Sequence, residues 1–101
     1  MQIRYEEIVA AYERDLQTRL RGFRPQHEFL ETWVHDEDPA RSLLNMVEAA
    51  EMGGLDEISI AIGPETAKRL DQARLQEMTA KVGKVSLVAE GAGLLLKVAY
   101  A

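Results

Sequence analysis

The sequence predicts an α+β fold in which three N-terminal helices pack on a small three-stranded mixed βαββ sheet. Before Gly53 and Gly54 the apolar residues recur at steps of three and four, as in amphipathic helices. After these glycines they alternate, as in strands, with one further helix in between. At 101 residues the chain is expected to form one domain, with a helical half at 1–53 and a βαββ half at 54–101.

The first helix is predicted from about Ile3 to Arg21. Gly22 weakens it, and Pro25 ends it because proline disfavours the helical conformation in the residue before it. Its apolar stripe consists of Tyr5, Ile8, Val9, Tyr12, Leu16, Leu20 and Phe23.

Two shorter helices are predicted to complete the N-terminal half. The second spans about Gln26 to His35, and its apolar side carries Phe29, Leu30, Trp33 and Val34. The third begins at Asp38-Pro39, with aspartate as the N-cap and proline at the first helical position. Gly53-Gly54 is predicted to end it with the left-handed conformation that is common after a helix.

The C-terminal half is predicted to contain three strands and a fourth helix. The first strand is predicted at 56–63 and the helix from Pro64 to Gly83. Lys84 to Glu90 and Leu94 to Tyr100 are predicted to form a hairpin around Gly91-Ala92-Gly93. The strand, crossover helix and next strand should form a right-handed parallel unit, to which the hairpin adds an antiparallel strand.

The alternation also predicts what each face of the sheet carries. One face is apolar and is formed by Ile58, Ile60, Ile62, Val85, Leu87, Leu94, Leu96 and Val98. The other is formed by Ser59, Ala61, Ser86, Val88, Leu95 and Ala99, with Lys97 near its middle. This second face is too apolar to lie bare, so the N-terminal helices or a second copy of the chain are expected to cover it. If the last strand lies at an edge, it offers easy pairing to another chain.

Composition excludes several classes of function. The net charge of −5 argues against nucleic-acid or anionic-membrane partners, which require clustered positive charge. The absence of cysteine excludes a disulfide framework, a thiolate metal site and a cysteine nucleophile, and it fits a reducing compartment. The first residues show no basic region followed by an apolar run, so no secretory signal is expected, and the longest apolar runs fall far short of the ~20 residues that cross a bilayer. The expected location is the cytoplasm.

His27, Glu31 and His35 form the one cluster with metal-ligand chemistry, at positions i, i+4 and i+8 of the second helix. Eight residues span about 12 Å along a helix, so both histidines cannot reach one ion from a straight helix. Exposed histidines without a role are the more common outcome, and a pH switch is a further reading. The sequence therefore assigns no metal ligand and no cofactor.

Three other patterns in the sequence have simpler explanations than a functional site. Gly63-Pro64-Glu65-Thr66 joins a strand to a helix, where backbone N–H groups could hold a phosphate, but a structural turn explains it better. Arg14, Arg19, Arg21 and Arg24 could contact RNA, but pairing with the acidic run at 28–38 explains them better. The candidate nucleophiles Ser42, Ser59 and Ser86 lack a Gly-x-Ser-x-Gly setting, so no catalytic residue is assigned.

The function expected first is a small non-enzymatic interaction, regulatory or accessory module of bacterial type, acting through homodimerisation and partner docking. The alternative is a metal- or small-ligand-binding protein that uses the flank of His27, Glu31 and His35. A small enzyme is third.

Overall fold

The computed structural model describes residues 2–11 and 38–100, which form an α+β fold with one mixed sheet. The four strands are β1 Gln2–Arg4, β2 Glu57–Ile62, β3 Lys84–Glu90 and β4 Gly93–Ala99. Of the four helices in these ranges, α1 begins at residue 5 and is described to residue 11. The other three are α2 Pro39–Met52, α3 Pro64–Arg69 and α4 Gln72–Thr79.

The strand order is β1-β2-β4-β3. β1 is parallel to β2, whereas β4 is antiparallel to both of its neighbours. The crossover from β2 through α3 and α4 therefore reaches a parallel strand two positions away, and β4 fills the gap between them. The alternative in which the final strand lies at an edge is excluded, because β4 is interior and the edge strands are β1 and β3.

A fourth strand corrects the prediction of a three-stranded sheet. The first helix is predicted to begin at about Ile3, but Gln2–Arg4 is a strand that pairs with β2, and Ile3 lies opposite Ile60. Three residues are too few to show an alternating pattern, so this strand is defined by its partner rather than by its own sequence. The prediction of three N-terminal helices is therefore wrong in detail. The remainder of the first helix and the second helix at 26–35 lie outside the described residues.

The predicted limits of the third helix are confirmed. The Asp38 carboxylate accepts a hydrogen bond from the Arg41 amide at 3.4 Å, and Pro39 occupies the first turn. After Met52 the chain turns at Gly54, whose φ of +79° is the left-handed conformation that glycine adopts without strain. The Leu55 amide then donates to the Ala50 carbonyl at 3.1 Å, which fixes the exit from α2.

The predicted fourth helix is two helices. It breaks at Leu70, whose extended backbone (φ −86°, ψ 129°) buries its side chain, and Asp71 then caps α4. The Asp71 carboxylate accepts from the Arg74 amide at 3.1 Å. The sequence carries a sign of this break, because the buried residues Leu70 and Leu75 are five apart, a step that a continuous amphipathic helix does not use.

The core lies between the predicted apolar face of the sheet and the helices. β2 and β4 place their alternate apolar residues in matched pairs, Ile58 opposite Val98 and Ile60 opposite Leu96. The helices contribute Tyr5, Val9, Leu43, Met46, Val47, Ala50 and Leu75, with Leu70 from the break. The hairpin closes through a two-residue turn in which Gly91 has a φ of +59°.

Candidate functional site

The second face of the sheet points away from this core. Helices α1, α2 and α4, as far as they are described, all place buried residues in the core on the first face. The expectation that the N-terminal helices cover the second face is therefore wrong for 5–11 and for α2. The second face carries three rows of side chains, which the strand register defines across β2, β4 and β3.

The middle row contains Ser59, Lys97 and Ser86, directly opposite one another on adjacent strands. Ser59 and Ser86 are two of the three candidate nucleophiles, and Lys97 is the lysine predicted near the middle of this face. Lys97 and Ser86 are exposed, whereas a lysine that acts as a general base usually requires desolvation. Ser42 is fully buried in α2, so its hydroxyl is not accessible to a substrate. The row is therefore a polar strip on a surface.

The next row is apolar. It contains Ala61, Leu95 and Val88, and Arg4 lies beside Ala61 on β1. Ala61 and Leu95 are half-buried, and Val88 is 45% exposed, which makes it one of two large exposed hydrophobic residues in the described part of the chain. A contiguous apolar strip at a sheet edge is typical of a contact surface.

Strand β3 forms the margin of this surface. It pairs with β4 on one side, and no described strand pairs with its other side. An edge strand presents a row of backbone N–H and C=O groups that can accept another strand. Seven residues without proline offer a long edge, in contrast to the three residues of β1.

An open cleft of about 410 Å³ lies at the end of the sheet where β2 leads into α3. The Gly63 amide donates to the Glu6 carboxylate at 2.6 Å across this cleft. An anion held by the Gly63–Thr66 turn would need that N–H group, so the intramolecular carboxylate supports the reading of a structural turn. Glu7, Glu90 and Arg4 also line the cleft, so with Glu6 its acids outnumber its bases three to one, a balance unsuited to phosphate.

Arg74 is a structurally important residue that sequence reasoning missed. Its guanidinium donates to both carboxylate oxygens of Asp38, at 2.8 and 3.1 Å, and so joins the start of α4 to the start of α2. This hydrogen bonding lowers the pKa of Asp38 and raises the pKa of Arg74. Both side chains are nearly half exposed, so the pair serves the fold rather than forming a reactive site.

The remaining predicted sites fall elsewhere. His27, Glu31 and His35, together with Arg14, Arg19, Arg21 and Arg24, lie outside the described residues. Within residues 2–11 and 38–100 no group of three or more histidine, cysteine or acidic side chains is arranged to hold a metal ion.

No helix in the part of the chain that the structure describes has the length and apolar character needed to cross a membrane. No family model, curated protein or solved structure matches the chain.

Proposed function

We propose that the protein is a non-enzymatic interaction module that acts by pairing with a second copy of itself and by docking a protein partner. The observation that supports this most is the exposed side of the sheet, which ends in the long edge strand β3. Its apolar row provides contact area, and the edge provides backbone hydrogen-bonding groups. The proposed role is regulatory or accessory, because such a role requires binding to a partner and no catalysed reaction.

Enzymatic activity receives less support from the described residues. Acid–base catalysis requires polar groups that converge on one reacting atom. In the open cleft the Glu6 carboxylate is bound to the backbone at Gly63, and the serines Ser59 and Ser86 lie on a flat surface. A cytoplasmic location, which the cysteine-free composition favours, belongs to the same proposal.

Sedimentation velocity tests the proposal over about a hundredfold range of protein concentration. We expect a species of twice the 11.3 kDa chain mass to grow as concentration rises. Val88→Lys should weaken this association, because it places a charge in the apolar row. Met52→Lys is the matched control, since Met52 is 87% exposed at the end of α2 and is not part of the apolar row. A monomer at every concentration would contradict the proposal.

A further inference from the structure

The two edges of the sheet differ in what they offer a second chain. β1 is three residues long and carries Arg4, and short charged strands discourage pairing. β3 is seven residues long, and its charges are confined to its ends, at Lys84 and Glu90. The residues between these ends are neutral. Among the described strands only β4 pairs with β3, so the other side of β3 is available for backbone pairing along its length.

The order of residues in β3 makes it complementary to itself. The strand reads Lys-Val-Ser-Leu-Val-Ala-Glu, with Leu87 at its centre. When a second copy is aligned antiparallel about Leu87, Lys84 lies opposite Glu90 of the partner subunit at both ends. Opposite charges that face each other across strands stabilise pairing, and like charges oppose it. The charges therefore favour a copy of the same strand as the partner.

Symmetry restricts the registers that are available. A two-fold axis perpendicular to the sheet brings each face onto the same face of the partner, so paired residues must belong to one face. The axis can then pass through Ser86, Leu87 or Val88. Centring on Ser86 or Val88 leaves end residues of the strand unpaired and separates Lys84 from Glu90 of the partner subunit. Only the register centred on Leu87 pairs all seven residues.

We propose that two copies of the chain associate through β3, with the two strands antiparallel and centred on Leu87, and form one continuous eight-stranded sheet. This rests on the proposed self-association and specifies its edge, register and residue pairs. Val85 and Leu87 are half-buried and already pack against the core. Pairing about Leu87 brings the two leucines together, so the apolar layer beneath the sheet continues across the interface.

A charge swap tests the register. Lys84→Glu and Glu90→Lys each place like charges opposite one another at both ends, and each is expected to raise the dimer dissociation constant at least about fivefold. The double variant restores opposite charges and should recover the wild-type dissociation constant. The differences should shrink at high salt, because exposed charges are screened. Thermal unfolding of each variant at low concentration verifies that the protomer is intact.

Disulfide trapping provides a second, independent measurement, because the chain has no cysteine of its own. Leu87→Cys places two thiols directly opposite each other, within the Cα spacing that a disulfide spans. Val85→Cys is the matched control on the same strand and face. Its two copies are offset by four residues, about 13 Å, which is too far for a disulfide. Under mild oxidation we expect covalent dimers from Leu87→Cys and not from Val85→Cys.

The outcomes separate this inference from the function on which it rests. A wild-type protein that dimerises, but whose dissociation constant is unchanged by both single charge reversals, would overturn the β3 register and leave self-association standing. The register also falls if the charge swap fails to restore dimerisation, or if Val85→Cys cross-links as readily as Leu87→Cys. A wild-type monomer at all concentrations overturns both.

Discussion

Gly93 begins β4 close to the end of β2. A Cβ at this position would lie 2.1 Å from the carbonyl oxygen of Ile62, which belongs to the backbone and cannot move alone. We expect Gly93→Ala to lower the free energy of unfolding by about 1–3 kcal/mol, the usual cost of overpacking. At Gly63 the same change meets the Glu6 side chain, which can rotate away. Gly63→Ala should therefore cost less in urea denaturation, and equal losses would contradict this reading.

Asp38 performs two roles that can be separated by substitution. It caps α2 and binds Arg74. Asp38→Asn keeps a capping side chain and loses the charge, whereas Asp38→Ala loses both. We expect Asp38→Ala to lower the free energy of unfolding by about 1 kcal/mol through the lost cap, and Asp38→Asn to lower it less.

The pH dependence of stability provides the check on the Asp38–Arg74 pair. Hydrogen bonding to Arg74 lowers the folded-state pKa of Asp38 below its ordinary value of 3.8. The contribution of the ionised Asp38 carboxylate to stability is therefore present above pH 3.8 and is lost as pH falls through the lower folded-state pKa. Urea titrations across acidic pH should show a smaller loss of stability on acidification in Asp38→Asn than in the wild type. Identical acid profiles would show that the pair contributes nothing.

At the residue scale, helix caps were predicted better than side-chain contacts between residues far apart in the sequence. Asp38, Pro39 and Gly54 act where their local chemistry indicated, because capping depends on neighbours within a few residues. The contacts of Arg74 with Asp38, and of Glu6 with Gly63, join residues 36 and 57 positions apart. No local pattern encodes such contacts. They follow from the way in which the elements pack.

The Tyr100 side chain, directly after β4, connects the end of this strand to the middle of α2. The Tyr100 hydroxyl donates to the Val47 carbonyl, and burial, with a smaller effect of the Glu51 charge, raises the pKa of Tyr100 to about 12. The neutral phenol is thus favoured by the fold. The contribution of the neutral Tyr100 phenol to stability is present below the ordinary pKa of 10.0 and is lost as pH rises toward about 12.

Tyr100→Phe should remove this connection without leaving a cavity. We expect a loss of about 1 kcal/mol at neutral pH, typical of one hydrogen bond. The decline in stability between about pH 10 and 12 should also become shallower than in the wild type. Denaturant titrations at neutral and alkaline pH measure both effects. A Tyr100→Phe protein as stable as the wild type at neutral pH would show that the hydrogen bond adds nothing.

Among the elements, length determined what could be predicted. α2, β2, β3 and β4 are long enough to show their periods, and their limits were predicted to within about two residues. β1 spans three residues and is a strand because β2 lies beside it. The order of strands was also beyond sequence reasoning, because hairpin and crossover rules permit β4 on either side of β3. The open face was predicted residue by residue, but its exposed edge was not.

At the scale of the whole molecule, the asymmetry between the two edges would determine how the proposed assembly grows. A heterologous contact between two different open edges can repeat without limit, whereas a contact between two copies of one edge closes after a single pairing. β1 covers the outer edge of β2. Ile3→Pro should weaken this cover by removing a backbone N–H group, and Ile3→Ala is the control that loses apolar contact and keeps the N–H. Multi-angle light scattering should detect larger species for the proline variant alone.

The three residues of β1 contribute little to the core, but they determine which edges of the sheet a second chain can reach. In the proposed dimer β1 would limit growth: it covers the outer edge of β2, so among the described strands β3 is left as the long edge for pairing and association would end at two chains. Without β1, the outer edge of β2 would become a second pairing edge, and the association proposed for β3 would then extend the chains into fibrils.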